Sequence, residues 1–203
     1  MTAPTTKEHP TTDSKQRFAE WLGIKTFSDP ELEKLAAACQ EWAMAFKRGE
    51  EPRWLSLLGV SGTGKTHCAR RLFFWAKARA EEGRTVQRGE FGYYDGLDYI
   101  PHEIYWPEFV QLLRAGHGFG KRDDMKRWPV LFLDDIGAER DASGFAAEEL
   151  NTLLGMRVGK WTILTSNKDI EALKAVDGRI SSRLIRGKNI CVGVNTIDFA
   201  ERA

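Results

Sequence analysis

The feature that most constrains this chain is the run Gly59-Val60-Ser61-Gly62-Thr63-Gly64-Lys65-Thr66, a glycine, four residues, then Gly-Lys-Thr. The apolar stretch Trp54-Leu55-Ser56-Leu57-Leu58 leads into it, and a helix-compatible run from Lys65 to about Ala80 leads out. Strand, glycine loop and helix in that order are the context of a phosphate loop. Gly59, Gly62 and Gly64 let the backbone fold tightly around an anion. The amides from Gly62 to Thr66 then point inward at the positive end of the helix dipole, and Ser61, Thr63 and His67 share the same stretch. Lys65 is placed to bridge the β- and γ-phosphates, and the Thr66 hydroxyl to hold Mg²⁺. This motif reads as a binding site for a nucleoside triphosphate.

Composition adds boundaries. The 203 residues suffice for one substantial domain, and 42% hydrophobic with 29% charged residues describes an ordinary globular protein. No apolar run is long enough to cross a bilayer, and no apolar segment of a signal peptide stands near the N-terminus. Cys39, Cys68 and Cys191 are widely spaced without a metal-ligand pattern, so buried thiols in a reducing cytoplasm are expected. With a net charge of +1, contact with nucleic acid has to come from local patches.

The first fourteen residues, rich in Thr and Pro, read as a mobile tail, and Phe18–Leu22 as a short helix ended by Gly23. Ser28-Asp29-Pro30-Glu31 is a helix start, and Leu32, Leu35, Ala36, Cys39, Trp42, Ala43 and Phe46 continue it at helical spacing to about Arg48. The stretch from Phe91 to Trp106 holds four tyrosines, two glycines and a proline, and reads as an aromatic hairpin or loop feeding a short strand near Glu103–Tyr105. In it, Tyr93, Tyr94, Tyr99 and Trp106 are available to stack on bases or to pack the insert on the domain. Pro107–Arg114 is a helix, and Gly116–Trp128 a polar, solvated loop.

Val130-Leu131-Phe132-Leu133-Asp134-Asp135 is an apolar run ending in two acids, as expected of a strand buried on both faces of a parallel sheet. Asp134 fits a residue supporting the Mg²⁺ shell, through water, and Asp135 is placed to polarise an attacking water. A second β-rich run, Trp161 to Thr165, ends in Ser166-Asn167, and Asn167 is positioned to orient that water. Arg179 and Arg183 are four apart and share a helix face, which is either a solvated basic face or one that projects Arg183 into a neighbouring subunit's ATP.

In order, GVSGTGKTH, LFLDDIGAE, ILTSN and GRISSRL resemble the DnaC/IstB-type AAA+ ATPases, the helicase loaders and transposition helper ATPases. The resemblance runs from about Thr26 to Phe199 and includes Phe27, at a place where this family has an aromatic near the adenine. It implies an α/β fold, an AAA+ P-loop core with a parallel five-stranded sheet of order 5-1-4-3-2, and no C-terminal lid domain. Residues 1–25 would be a tail with a short helix, and 26–203 the ATPase domain. Lys65, Thr66, Asp134, Asp135, Asn167 and Arg183 would carry the roles above, with ATP and Mg²⁺ between subunits of a ring or spiral. The implied function is an ATP-hydrolysing helicase loader that engages single-stranded DNA and a replicative DnaB-type helicase. A transposition helper that delivers a transposase shares every motif, and a P-loop small-molecule kinase is the reading from another class. A nucleotide-gated scaffold with little turnover is a third.

Overall fold

Strands and helices alternate along most of the chain, and the computed structural model describes residues 12–24, 29–86 and 103–198. Helices α1 (Thr12–Trp21) and α2 (Pro30–Arg48) precede strand β1 (Trp54–Leu58) and helix α3 (Lys65–Val86). Then come β2 (Glu103–Tyr105), α4 (Trp106–Arg114), α5 (Phe119–Met125), β3 (Val130–Asp134) and α6 (Phe145–Met156). The chain continues through β4 (Trp161–Thr165), α7 (Ile170–Val176), α8 (Gly178–Ile185) and β5 (Ile190–Gly193).

All five strands form one sheet in the order β2-β3-β4-β1-β5, every pair parallel, which is the expected order read from the other edge. Successive strand residues face opposite sides of a sheet, so a strand apolar throughout needs cover on both. In β3, Val130 and Phe132 pack with α1, α2 and α3, whereas Leu131 and Leu133 pack with α4, α6 and α8. The result is three layers, helix, sheet and helix.

Local chemistry explains the boundaries of α2. The Asp29 carboxylate accepts the Glu31 amide at 2.9 Å, Pro30 opens the first turn, and Gly49 at φ +69° ends the helix. Two elements differ from the sequence expectation. Helix α1 begins at Thr12 rather than Phe18, and Ala19, Leu22 and Ile24 are buried with α2 and α3 in a common core. The expected loop from Gly116 to Trp128 contains α5, because Met125 is fully buried and Arg122 is paired with Glu149 at 2.6 Å. Arg122 is thus bound to acids of its own chain, Asp123 and Glu149. Phe27, residues 1–11, the insert residues 91–102 with Tyr93, Tyr94 and Tyr99, and residues beyond 198 lie outside the described residues.

Candidate functional site

A parallel sheet gathers all its strand ends along one edge, and here β4 lies between β1 and β3. The loop after β1, the acids that end β3 and the polar tip of β4 therefore meet. Gly59, Gly62 and Gly64 have φ of +119°, +74° and +86°, which is how the loop turns back to deliver its chain into α3. Lys65 is buried at the start of α3, and its ammonium donates to the Val60 carbonyl, to Thr63 Oγ1 at 3.3 Å and to Asn167 Oδ1 at 3.4 Å. One cation thus ties the phosphate loop to the tip of β4.

Asp134 closes β3 and is buried. Its Oδ1 accepts the Thr66 hydroxyl at 2.9 Å and the Thr165 hydroxyl at 2.5 Å. The next residue, Asp135, adopts the left-handed region at φ +59°, which an aspartate tolerates better than most side chains. Two bonds hold it there: its amide donates to Thr165 Oγ1 at 3.0 Å, and its Oδ1 accepts Asn167 Nδ2 at 2.7 Å. Lys65, Asn167 and Asp135 form a continuous chain, and Thr66, Asp134 and Thr165 a second one beside it.

The charges in this cluster oppose one another. Burial lowers the Lys65 ammonium below its usual 10.5, and the attraction of Asp135 and Asp134 works against that. Burial raises the Asp135 carboxyl above 3.8, and the neighbouring Asp134 raises it further, against the pull of Lys65 and the bonds from Asn167. Such a shifted carboxylate is matched to holding a proton of a bound water.

Of the expected binding residues, Gly62, Thr63, Gly64, Lys65, Thr66 and His67 line a cleft of about 660 Å³, whereas Gly59 and Ser61 do not. Gly62, Thr63, Gly64, Lys65, Thr66 and Asn167 form its polar end, and Leu22, Ile24, Leu32 and Leu35 its apolar end, with Gly23, His67 and Asp198 also in its wall. Its two ends suit a molecule with one anionic and one flat apolar part. Thr66 and Asp134 offer adjacent hard oxygens, a hydroxyl and a carboxylate, as a Mg²⁺ site shared with phosphate and water requires. Among the described residues no group of three or more His, Cys, Asp or Glu forms a self-sufficient metal site. Cys68, just behind the loop, is buried, and burial pushes its thiol up to about 12.

Arg183 lies elsewhere. Its Nε donates to Asn151 Oδ1 on α6 at 3.0 Å, and with Gly178, Arg179, Ser182 and Arg186 it lines a separate groove of about 320 Å³. Arg179 is engaged by Glu148 at 2.6 Å and Asp177 at 2.8 Å. Sequence reasoning missed four contributors: Thr165, the Leu22–Ile24 wall, Asp198 and Asn151. Only Thr165, adjacent to Ser166-Asn167 in a motif already singled out, carried a signal.

No family model matches the chain, and no curated relative is similar in sequence. Solved structures do match in fold. The crystal structure of DnaI aligns with a TM-score of 0.61 at 22% identity over 87% of this chain and 88% of that one. The DnaC helicase loader aligns with a TM-score of 0.60 at 16% identity over 89% of this chain and 99% of the other. The replication initiator DnaA, in a structure bound to AMPPCP and single-stranded DNA, aligns with a TM-score of 0.60 at 21% identity, this chain covering half of that protein. The fold, a five-stranded parallel sheet with flanking helices, is therefore shared with these proteins.

Proposed function

We propose that this chain binds and hydrolyses ATP, and that it does so as a DNA-replication factor of the helicase-loader type. The observation that carries the proposal is the bridge from Lys65 through Asn167 to Asp135, beside the Thr66–Asp134 pair. In it a phosphate-binding cation, a carboxylate able to hold a water and the amide that orients that carboxylate are joined before substrate arrives, so little reorganisation is needed at the moment of reaction.

The loop amides and Lys65 bind the phosphates, and the apolar end of the cleft takes the base. Thr66 and Asp134 would hold Mg²⁺, which when bound neutralises charge on the phosphates. Asp135 accepts a proton of the attacking water while Asn167 keeps its carboxylate turned toward the cleft. Arg183, held on α6 by Asn151 and outside its own cleft, serves the site of a neighbouring copy in a ring or spiral. The fold shared with DnaI, DnaC and DnaA supports single-stranded DNA and a replicative helicase of the DnaB type as partners. No described helix is long and apolar enough to cross a membrane.

The test is ATP turnover per subunit against protein concentration, with single-stranded DNA present, for the wild type and Arg183→Ala. Specific activity is expected to rise with concentration and to collapse in the variant, which still binds ATP. Turnover independent of both concentration and Arg183 would overturn the shared site.

A further inference from the structure

After β5 the chain runs back over the phosphate loop and is tied down as it goes. The Val194 amide donates to the Leu58 carbonyl at 2.7 Å, and the Val194 carbonyl oxygen is only 2.3 Å from where a Cβ on Gly59 would sit. One residue on, the Asn195 amide donates to Glu31 Oε2 at 2.9 Å. The Thr196 hydroxyl then donates to Asp29 Oδ2, the residue that caps α2. These bonds bring Asp198 to the second glycine of the loop. A Cβ on Gly62 would fall 2.0 Å from Asp198 Oδ2, 2.1 Å from its Cγ and 2.4 Å from its Oδ1. The whole carboxylate lies on Gly62, and Asp198 lines the same cleft as Lys65, Thr66 and Asn167.

A glycine loop with a buried lysine at a helix N-terminus is built for negative charge. A carboxylate from the same chain is negative charge of the same class. The phosphates of a nucleotide need the loop that includes Gly62, and a carboxylate resting on that residue repels them at short range in a cleft with one apolar end. We infer that residues 194–198 form an inhibitory strap, with Asp198 as an internal competitor for the phosphate loop that must leave Gly62 when a nucleoside polyphosphate binds. This inference rests on the nucleotide reading above and adds a regulatory element to it. The position of the carboxylate on a phosphate-loop glycine favours competition with phosphate over a ribose-binding role for Asp198. The strap is bonded to Asp29 and Glu31, so its release transmits occupancy of the cleft to the first turn of α2.

The test is the affinity of the full chain for Mg–ATP, Mg–ADP and Mg–dATP by titration calorimetry, for wild type, Asp198→Asn and Thr196→Val. Removing the charge is expected to tighten Mg–ATP by about tenfold, the effect of a modest charge repulsion in a half-screened site. Mg–ADP, with less charge, gains less, and cutting the tether in Thr196→Val moves both in the same direction by a smaller factor. Saturating wild type with Mg–ATP is expected to speed hydrogen exchange at the Asn195 amide. Unchanged or weaker Mg–ATP binding by a folded Asp198→Asn overturns the strap while leaving the ATP site intact. If that weakening also erases the preference for ATP over dATP, Asp198 is a ribose acceptor. Folded wild type and Asp198→Asn that both fail to bind any of the three nucleotides overturn the nucleotide reading, and the strap with it.

Discussion

The Thr165 hydroxyl donates to Asp134 Oδ1 at 2.5 Å, and Thr165 Oγ1 in turn accepts the amide of Asp135 at 3.0 Å. A single side chain on β4 thus orients both acids that end β3. Thr165→Val keeps the shape and deletes both bonds, leaving the partly buried Asp135 amide and the buried Asp134 carboxylate each short of one partner. Stability is expected to fall by about 1–3 kcal/mol in denaturant unfolding. ATP turnover should drop with nucleotide binding largely retained, and a variant with unchanged turnover would show that Asp134 and Asp135 orient themselves.

Asp135 separates activity from stability. Its raised carboxyl pKa means the native state holds a proton that the unfolded chain would release. Stability attached to this group is therefore present at low pH and is lost as pH rises from 3.8 through the folded-state value. Asp135→Asn removes that loss and still tolerates the left-handed backbone, so it is expected to melt higher than wild type near pH 7 while losing turnover. Asp135→Ala, strained at φ +59°, should melt lower than Asp135→Asn, by about 1 kcal/mol in stability. Thermal melts of the three proteins decide this, and an Asp135→Asn less stable than Asp135→Ala contradicts it.

The same shift sets the acid side of the reaction. A water-activating carboxylate works only when ionised, so kcat/KM for Mg–ATP is expected to fall on acidification with an apparent pKa above the ordinary 3.8. Asn167→Ala removes a bond that favours the ionised form and should move that limb upward, while lowering turnover about 10²-fold. A pH profile of the pair measures both effects.

Asn151 acts on Arg183 by position. It accepts from the guanidinium Nε at 3.0 Å, and that guanidinium lies along α6 beside Gly155. Arg183→Ala is expected to cost about 10³-fold in turnover at concentrations where the protein assembles. Asn151→Ala should cost less, because the charge remains and only its aim is lost. Mixing Arg183→Ala with Lys65→Ala protein should restore part of the activity, as each supplies what the other lacks at a shared site; no recovery argues against a contribution across subunits.

Arg157 is a purely structural test. Its guanidinium is fully buried and donates to the carbonyls of Met125, Trp128 and Trp161, with Nε to Thr162 Oγ1 at 3.3 Å. It clasps the end of α5 to the start of β4. Arg157→Ala is expected to cost several kcal/mol, because each buried acceptor left without its donor costs about 1–3 kcal/mol. Lysine cannot replace the fork of donors, so Arg157→Lys should recover little of that loss in denaturant unfolding.

Much of the fold was legible where neighbours in sequence supply the cause. Helix α2 carries its own cap in Asp29, its own start in Pro30 and its own stop in Gly49, and its expected and observed spans agree. Strands β1 and β3 are mostly apolar, buried at every position, and lead into the glycine loop and the acid pair. Helix α5 was not legible. It is seven residues of mostly polar sequence, held by the burial of Met125 and by the ion pair of Arg122 with Glu149, a residue of α6.

The site divides in the same way. Asp134, Asp135 and Asn167 follow or close strands and Lys65 and Thr66 open α3, all inside short motifs, so residue type and spacing alone singled them out as candidates. That Asn167 touches both Lys65 and Asp135 depends on β4 lying between β1 and β3, which no local pattern specifies. Asp198 on Gly62, Asn151 on Arg183 and Leu22 in the cleft wall are likewise products of packing. Sequence by itself determined the phosphate loop, the acids and the helix caps, because backbone conformation, caps and strand burial are set by residues a few positions apart. Only the tertiary structure decided which hydroxyl, amide and carboxylate would meet, because those contacts are selected by burying apolar faces of distant segments against one sheet.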